Sequence, residues 1–507
     1  MDQEMTPQFE MPKTVKDESK RWLALYVLCA GMLMIVLDAT VVNVALPSIQ
    51  DDLRFSQQSL AWVINAYMIT FGGLLLLSGR LGDLIGRRNL FMAGLVVFTV
   101  ASALCGLAQS QEMLIGARFA QGVGGAMASA VILGMIFMMF PNPSEQAKAI
   151  GVFGFVASAG GSIGLIVGGV LTQSINWHWI FFVNVPIGIL VGVMALRLLA
   201  GDKGIGLKQG LDVPGALLIT SSLMLGVYTI VKPAADDGWG ASKTLIFGAV
   251  SLLLLALFIA REATAKTPLI PLRIFKSRNV SGSNVIQALL VAGMFGMFFL
   301  GALYLERVLG YDPLQIGLAF LPATLIMGTI SLKFAEPLLM RFGPKKILIP
   351  SFSLIAIGLL YFSQAPSDGT YLVNVLPAMV VMGFGIGPSF PALMTLAMSA
   401  SSNEDAGLAS GLINTSAQVG GALGLAVLAT LSATHTENLL AEGKSQVTAL
   451  TEGFQLAFMI GAGLVALGAV LAAVVIKSMP MPSFDPSAAP ADDAHGEPVR
   501  EPAYATD

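Results

Sequence analysis

Long apolar runs recur along this chain, and short polar breaks separate them. Each run covers about twenty residues, which is the length that a helix needs to cross roughly 30 Å of hydrocarbon. Strands of a membrane β-barrel would instead show alternation over about ten residues. The pattern predicts an all-α polytopic membrane protein with fourteen transmembrane helices, near residues 22–48, 60–78, 90–109, 112–139, 147–172, 179–200, 213–232, 244–261, 283–305, 315–339, 346–363, 372–398, 406–431 and 454–477.

The composition agrees with lipid as the main solvent. Hydrophobic residues make up 55% of the 507 positions and charged residues only 12%, whereas soluble domains carry about 25% charged residues. No basic stripe with interleaved aromatic residues occurs, so nucleic acid is not an expected partner. The two cysteines, Cys29 and Cys105, lie within apolar runs. We therefore expect no disulfide, no metal site and no cofactor.

Lysine and arginine residues indicate the orientation of the chain. If the N-terminus is cytoplasmic, the inner loops carry about four times as many basic residues as the outer loops, as the positive-inside rule requires. The first apolar run exceeds the roughly 7–15 residues of a signal-peptide core, so it is predicted to remain as a span. We expect a multi-pass protein of the cell's inner (plasma) membrane with both termini in the cytoplasm.

Two polar segments divide the spans into groups. Ala200–Gly210 follows six spans, and Arg261–Ser281 follows two more, which leaves six. The loops Gly79–Arg88 (GRLGDLIGRR) and Pro337–Lys346 (PLLMRFGPKK) also echo each other. These features predict two pseudo-symmetric six-helix bundles with a two-helix insert. The predicted units are a cytoplasmic segment 1–21, the first bundle 22–200, the insert with its cytoplasmic linkers 201–282, the second bundle 283–477 and a disordered cytoplasmic tail 478–507.

The loop Gly79–Arg88 is the most specific signal in the sequence. A loop that only places basic residues on the inner side accounts for Arg87 and Arg88, but not for Asp83 among three spaced glycines. The loop resembles the signature loop between the second and third helices of the major facilitator superfamily. In the gate that this resemblance implies, Asp83 faces a helix N-terminus and pairs with Arg87. The implied cytoplasmic gate comprises Gly79, Asp83, Gly86, Arg87 and Arg88.

The first span carries Asp38 within LDATVVNVALP, residues 37–47. This segment resembles the first-helix motif of the fourteen-helix drug:proton antiporters. A charged residue in mid-membrane costs about 2.5–3.5 kcal/mol on insertion scales, and such residues generally have a function. Asp38 is therefore a candidate proton carrier or a partner for a cationic drug. The alternative is a structural carboxyl group that is hydrogen-bonded to Thr40 or Asn43.

The fourth span contributes Arg118 within LIGARFAQGVGGA, residues 114–126, which resembles the superfamily's fourth-helix motif. Gln121 lies one turn further along on the same face. Arginine stays charged when buried, so it can respond when a nearby carboxylate is protonated. The resemblance implies a role in coupling, and a side chain that extends back to the membrane surface is the alternative.

Glu306 ends the ninth span within LYLERVLGY, where related transporters often have glutamine. It either binds cations at the outer mouth or pairs with Arg307. We therefore include Glu306 with Asp38 and Arg118 as a candidate for substrate binding or proton coupling.

The fifth span contains GGSIGLIVGG, residues 160–169, which resembles the fifth-helix motif of the antiporters. Small residues that recur every four positions favour close helix packing. The family's usual proline after the middle glycine is replaced by Leu165, which argues against a hinge at this point. The predicted packing face comprises Gly160, Gly164, Gly168 and Gly169.

These motifs imply a proton-coupled antiporter that exports drugs, antibiotics or other small amphiphilic molecules. No phosphate-binding GxxxxGK[ST] loop occurs, so an ion gradient is the expected energy source. The expected partners are a small-molecule substrate, protons and membrane lipid. We expect a monomer that is not an enzyme, because no nucleophile–base pair lies in the spans. An exporter of one endogenous metabolite, and an importer or facilitator of the same superfamily, are the alternatives.

Overall fold

The computed structural model describes residues 18–140, 143–201, 204, 206, 212–231, 233–266, 268–398 and 406–478. Nearly all of the predicted segments 1–21 and 478–507 therefore lies outside the described residues. The α-helices of the described ranges are α1 Glu18–Leu53, α2 Gln57–Leu60, α3 Trp62–Ile85, α4 Arg87–Gly106, α5 Gln111–Met139, α6 Pro143–Ser174, α7 Trp179–Phe182, α8 Asn184–Leu198, α9 Val213–Val231, α10 Pro233–Asp236, α11 Ser242–Thr264, α12 Arg278–Arg307, α13 Pro313–Thr329, α14 Ala335–Phe342, α15 Pro344–Phe362, α16 Leu376–Met398, α17 Ala406–Ala441 and α18 Gln446–Val474.

Three short helical segments of other types complete this array. A 3₁₀ helix at Leu272–Lys276 precedes α12, and π-helical turns at Ile330–Phe334 and Tyr371–Val375 adjoin α13 and α16. The part of the chain that the structure describes contains no strand. The all-α prediction is thus confirmed.

Within the described ranges, fourteen helical segments are long enough to cross a membrane. Twelve are also apolar over their described lengths, with α7 and α8 forming one segment, Trp179–Leu198. The other two are α3 and α6, which have 24 and 32 residues and apolar sequences. Several helices extend beyond the predicted spans, because the polar ends of a helix can lie in the interfacial regions of a bilayer.

The long helices form two bundles with a pair of helices at their side. The first bundle contains α1, α3, α4, α5, α6 and α8, and the second contains α12, α13, α15, α16, α17 and α18. The bundles meet where α6 packs on α13 and where α3 packs on α17. Of the inserted pair, α9 packs on α3 and α17, and α11 packs on α9. We call the end of the array where α1 begins and α18 ends the termini side, and the other end the far side.

The outer surface of the array is apolar. On α11, for example, Leu245, Ile246, Leu252 and Leu253 are each more than half exposed. A continuous surface of this kind would be unstable in water, but it matches hydrocarbon. The multi-pass arrangement therefore follows from both helix length and surface chemistry.

The two bundles repeat one connection on the termini side. Gly86 joins α3 to α4 and Gly343 joins α14 to α15, and their φ angles of 97° and 79° are ones that glycine adopts without steric cost. Two residues after each glycine, a basic side chain bonds a carbonyl near the end of that bundle's sixth span. Arg88 donates to α8 (2.6 Å), and Lys345 donates to the carbonyl of residue 476 (2.7 Å). These matched contacts support the internal repeat.

Three of the four glycines of the predicted packing face, at 160, 164 and 168, lie against α1, whereas Gly169 lies against α13. A Cβ built on Gly160 would lie 3.0 Å from side chains of α1, and one on Gly168 would lie 2.9 Å from the Val41 carbonyl oxygen. A Cβ on Gly164 would overlap the side chain of Thr40. Close approach of α6 to α1 thus depends on the four-residue spacing of small residues.

Replacement of Gly164 with valine should lower the free energy of unfolding by about 1–3 kcal/mol, because the added side chain would collide with Thr40 in a packed contact. Thermal unfolding of the detergent-solubilised protein measures this effect. Gly463→Val on α18 is the matched control, since a Cβ on Gly463 would meet nothing within 4 Å. Equal unfolding temperatures for the two variants would contradict the packing role of Gly164.

Candidate functional site

Asp38 lies inside the first bundle, about 22 Å along α1 from the far-side end of the helix, and its side chain is fully buried. Both carboxylate oxygens accept hydrogen bonds. Arg118 of α5 donates to Oδ2 (2.6 Å), and Gln121 of α5 and Asn184 of α8 donate to Oδ1 (2.7 and 2.9 Å). The carboxylate of α1 is thus held by three donors from two other helices.

Arg118 is almost as completely buried, with 1% of its surface exposed. Its Nε donates to the Val63 carbonyl of α3 (2.9 Å), and its Nη1 also donates to Gln121 Oε1 (2.6 Å). The guanidinium lies over the Tyr67 ring, 4.4 Å from the ring centroid. Together with the Asp38 carboxylate, these groups compensate a charge that would otherwise be very unfavourable at this depth.

Gln121 connects the ion pair to α4, because its Nε2 donates to Ser102 Oγ (2.7 Å) as well as to Asp38. We call the five side chains that these bonds join the buried network. Its members come from α1, α4, α5 and α8, and the contacts with Val63 and Tyr67 add α3. The buried network comprises Asp38, Ser102, Arg118, Gln121 and Asn184.

The partners of Asp38 differ from the local ones considered from the sequence. Thr40 and Asn43 bond carbonyl groups of α1 itself, and Arg118 points to Asp38 rather than to the membrane surface. Asn184 and Ser102 were missed as members of the site. A lone asparagine in the apolar stretch FFVNVPIG is a usable signal, since polar side chains inside spans generally have partners. Ser102 gives no such signal.

The segment Gly79–Arg88 is not the predicted loop, because it is helical on both sides of Gly86, with its first part in α3 and Arg87 and Arg88 in α4. Arg87 donates to the Gly134 carbonyl of α5 (3.1 Å), and Arg88 bonds α8. A Cβ on Gly79 would meet nothing within 4 Å. The Asp83 side chain lies outside the described part of the structure, so its pairing with Arg87 stays a prediction.

Glu306 lies at the far-side end of α12 and is not part of the buried network. The Nε of Arg307 is 3.6 Å from Glu306 Oε2. The cavities described below are lined by other residues. The structure therefore brings Asp38 and Arg118 together and leaves Glu306 beside Arg307.

The two bundles are in contact on the far side. Arg307 of α12 forms an ion pair with Asp51 of α1, and Gln58 of α2 donates to Glu437 of α17 (2.9 Å). A cavity of about 470 Å³ adjoins the ion pair. It is lined by Gln50, Asp51, Arg54, Phe55, Gln57, Leu303, Arg307, Gln446, Leu450 and Phe454.

The tight packing of α6 on α13 is observed in the far-side half of their contact. There, a Cβ on Gly317 of α13 would lie 2.5 Å from the Leu165 carbonyl oxygen of α6. Nearer the termini side, a Cβ on Gly161 of α6 or on Gly328 of α13 would meet nothing within 4 Å. The close packing is thus not repeated at these two glycines.

A second cavity, of about 280 Å³, lies among α12, α16, α17 and the π-helical turn that follows α13. Its amide groups, aromatic ring and methionine suit a small amphiphilic molecule. Among the described residues, no cluster of three or more His, Cys, Asp or Glu side chains could hold a metal ion. The cavity is lined by Gln287, Ser331, Phe390, Pro391, Met394, Ile413 and Asn414.

Comparison with known proteins is informative over most of the chain. The model of the Major Facilitator Superfamily matches residues 28–425. The puromycin resistance protein pur8 of Streptomyces alboniger is 37% identical over 467 residues, which cover 91% of this chain and 92% of the relative. The cephamycin export protein CmcT of Amycolatopsis lactamdurans is 39% identical over 83% of this chain and 86% of the relative. The crystal structure of the POT family transporter PepTSo superimposes with a TM-score of 0.65 at 14% identity, over 89% of this chain and 97% of that chain, which shows a shared fold.

Asp38→Ala should lower the free energy of unfolding by about 3–5 kcal/mol, because Arg118 would stay charged in the bundle without its carboxylate. The double variant Asp38→Ala/Arg118→Met should recover much of this loss, since no uncompensated charge remains. Unfolding of the detergent-solubilised proteins at one pH measures both. Glu452→Ala, which breaks the exposed pair with Lys444, is the control and should cost only about 0–1 kcal/mol. Strictly additive losses in the double variant would argue against the ion pair.

Proposed function

The chain belongs to the Major Facilitator Superfamily, and we propose that it is a proton-coupled antiporter that exports antibiotics or other small amphiphilic molecules. The relatives named for puromycin resistance and cephamycin export support the substrate class. The observation that carries proton coupling is the buried network, in which a single carboxylate and a single guanidinium neutralise each other inside a membrane-spanning bundle.

The termini side is assigned to the cytoplasm of the inner (plasma) membrane. The excess of lysine and arginine in the loops of that side supports this assignment. On this basis we infer an inward-facing state from the contact of the bundles on the far side and from the free space beside Gly161 and Gly328.

Protonation of Asp38 requires the buried network to rearrange. Both carboxylate oxygens already accept hydrogen bonds from Arg118, Gln121 and Asn184. A carboxyl proton can add at Oδ2, which accepts one hydrogen bond, and it weakens the bond from Arg118 because the neutral carboxyl group is a poorer acceptor than the carboxylate. Arg118 would also lose its counter-charge, which is costly for a buried ion. Proton binding thus shifts Arg118, and the deprotonated pair of the present state follows proton release to the cytoplasm.

Helix α6 is suited to transmit this change to the interface between the bundles. Its glycines at 160, 164 and 168 pack on the turns of α1 that flank Asp38. On α6's other side, Gly169 and Leu165 contact α13 across the interface, and a Cβ on Gly169 would lie 2.8 Å from Leu314. A shift of α1 relative to α5 would therefore move the surface that closes the far side.

The inner gate is assigned to Gly79, Asp83, Gly86, Arg87 and Arg88. Arg87 and Arg88 anchor the segment to α5 and α8, which supports a rigid base on the first bundle. Asp83 is the residue that would contact the second bundle when the inner side closes.

A narrower function is export of one metabolite. The names of the two relatives support it, because each name mentions a single antibiotic. Export of many unrelated compounds from cells that lack their own efflux pumps would support the broad function. Export of one compound among a chemically mixed panel would support the narrow one.

Asp38→Asn should abolish proton-driven export and leave insertion intact, because the amide keeps most hydrogen bonds but cannot cycle between charged and neutral forms. Uptake of puromycin and of ethidium into inverted vesicles with an imposed pH gradient measures transport, and the amount of protein in the vesicles measures insertion. The control Glu452→Gln alters an exposed carboxylate of the far side and should transport like the wild type. Wild-type uptake by Asp38→Asn would contradict the role of Asp38.

Asp51→Ala should favour the outward-facing state, because it removes the Asp51–Arg307 pair across the closed far side. An exposed ion pair contributes about 0–1 kcal/mol, so the open population should rise by up to about fivefold. Labelling of Leu165→Cys by a membrane-impermeant thiol reagent measures this opening, since Leu165 is buried at the α6–α13 contact and the native cysteines are buried. The control Lys444→Ala breaks a far-side pair within the second bundle. Equal labelling of Leu165→Cys in the Asp51→Ala and Lys444→Ala variants would contradict a role of the Asp51–Arg307 pair in closing the far side.

A further inference from the structure

Two carboxylates that do not belong to the buried network lie near each other at the termini-side end of the insert. Asp212 directly precedes α9 and Glu262 lies in the last turn of α11, and these residues are 2% and 3% exposed. Asp212 Oδ1 accepts hydrogen bonds from the Gly215 N–H (3.1 Å) and Arg261 Nε (3.0 Å). Glu262 Oε2 accepts one from the Ile270 N–H (2.7 Å). One oxygen of each carboxylate is thus satisfied.

The second oxygen of each carboxylate is buried and accepts no hydrogen bond. Both of these oxygens, Asp212 Oδ2 and Glu262 Oε1, lie close to Gly215. A Cβ built on Gly215 would lie 2.6 Å from the first and 2.9 Å from the second. The two oxygens therefore cannot be further apart than the sum of these distances, and neither accepts a hydrogen bond.

Within the described part of the chain, the charges around this pair do not balance if both groups are ionised. The described charged groups that act on Glu262 are Asp212 and Arg261, which leaves one negative charge in excess. The neighbouring elements contribute apolar side chains, which are Ala216 of α9, Phe258 of α11, Leu269 of the linker before α12, and Leu74 and Leu77 of α3. An uncompensated charge is strongly unfavourable in such surroundings.

We propose that Asp212 and Glu262 form a binding site for one proton, which the two free oxygens share. A single proton turns one of the two acceptors into a donor, satisfies both oxygens and removes the excess charge. A metal ion fits this place less well, because Mg²⁺ and Ca²⁺ take about six or more oxygen ligands and two free carboxylate oxygens are available.

The position of the pair gives this proton a structural consequence. Asp212 holds the first turn of α9, Glu262 holds the end of α11, and the bond to Ile270 fastens the linker that leads to α12. Loss of the proton brings two like charges together, and their repulsion destabilises the contact between the start of α9 and the end of α11 that carries the linker. The attachment of the insert to the second bundle therefore responds to pH on the termini side, independently of Asp38.

Amide substitutions test the shared proton, because each amide replaces a defined donor or acceptor. In Glu262→Gln, the carbonyl can still accept from Ile270 while the NH₂ group donates to Asp212 Oδ2. In Asp212→Asn, the NH₂ group donates to Glu262 Oε1. In the double variant two NH₂ groups face each other with no acceptor. We expect each single variant to unfold at or above the wild-type temperature and the double variant to unfold well below it.

The measurement is thermal unfolding of the detergent-solubilised full chain at several pH values. The wild-type midpoint should fall as the pH rises and the proton is released, and this component should be absent in Glu262→Gln. Infrared spectra should show a protonated-carboxyl C=O band that both single variants lose and that the control Glu452→Gln keeps. Destabilisation of both single variants would indicate a site that needs two carboxylates, such as a cation site, and would overturn the proposal. A double variant as stable as the singles would indicate a bridging water and would overturn it as well.

Discussion

The ion pair between Asp38 and Arg118 fixes the arrangement of the first bundle. Two opposite charges at this depth are tolerable only when they are close and when their remaining hydrogen-bonding groups have partners. The partners come from α1, α3, α4, α5 and α8, so these five helices must keep their relative positions. A change of protonation at Asp38 alters the one interaction that all five share. This requirement makes the pair suitable as a switch rather than as a passive crosslink.

The second bundle contains no equivalent of this switch in its described part. Its fourth span, α16, is the counterpart of α5 and presents buried methionines, Met379 and Met382. Among the described residues, the buried charged side chains lie in the first bundle and the insert. On the proposed function, the response to a proton would therefore be concentrated in one half, and α6 connects that half to α13. The cavity of the other half, lined by apolar and amide side chains, is of a kind that suits an amphiphilic molecule.

The sequence was sufficient for the helical array and for the charged pair at its centre. Span positions follow from hydrocarbon thickness, and the insertion cost of a charge marked Asp38 and Arg118 without any structure. The partners were not accessible in the same way. Asn184 contacts Asp38 from 146 positions away, and this contact depends on how α8 packs against α1 rather than on a local pattern. Glu306 was selected by its residue type at the end of a span; it lies beside Arg307, and its role in substrate binding or proton coupling stays a prediction. The pair of Asp212 and Glu262 was overlooked because each residue alone resembles a solvated residue at the end of a span.

The central claim is that Asp38 carries the proton that is exchanged for substrate. Proton release can be followed directly with a pH indicator when a compound that the wild-type protein exports is added to the purified protein in weakly buffered detergent solution. We expect the wild type to release protons when it binds substrate. The number of protons released should decline as the pH is raised and Asp38 becomes fully ionised. Asp38→Asn should release no protons at any pH. Equal proton release by the wild type and by Asp38→Asn would contradict the account, because the exchanged proton would then reside on another group.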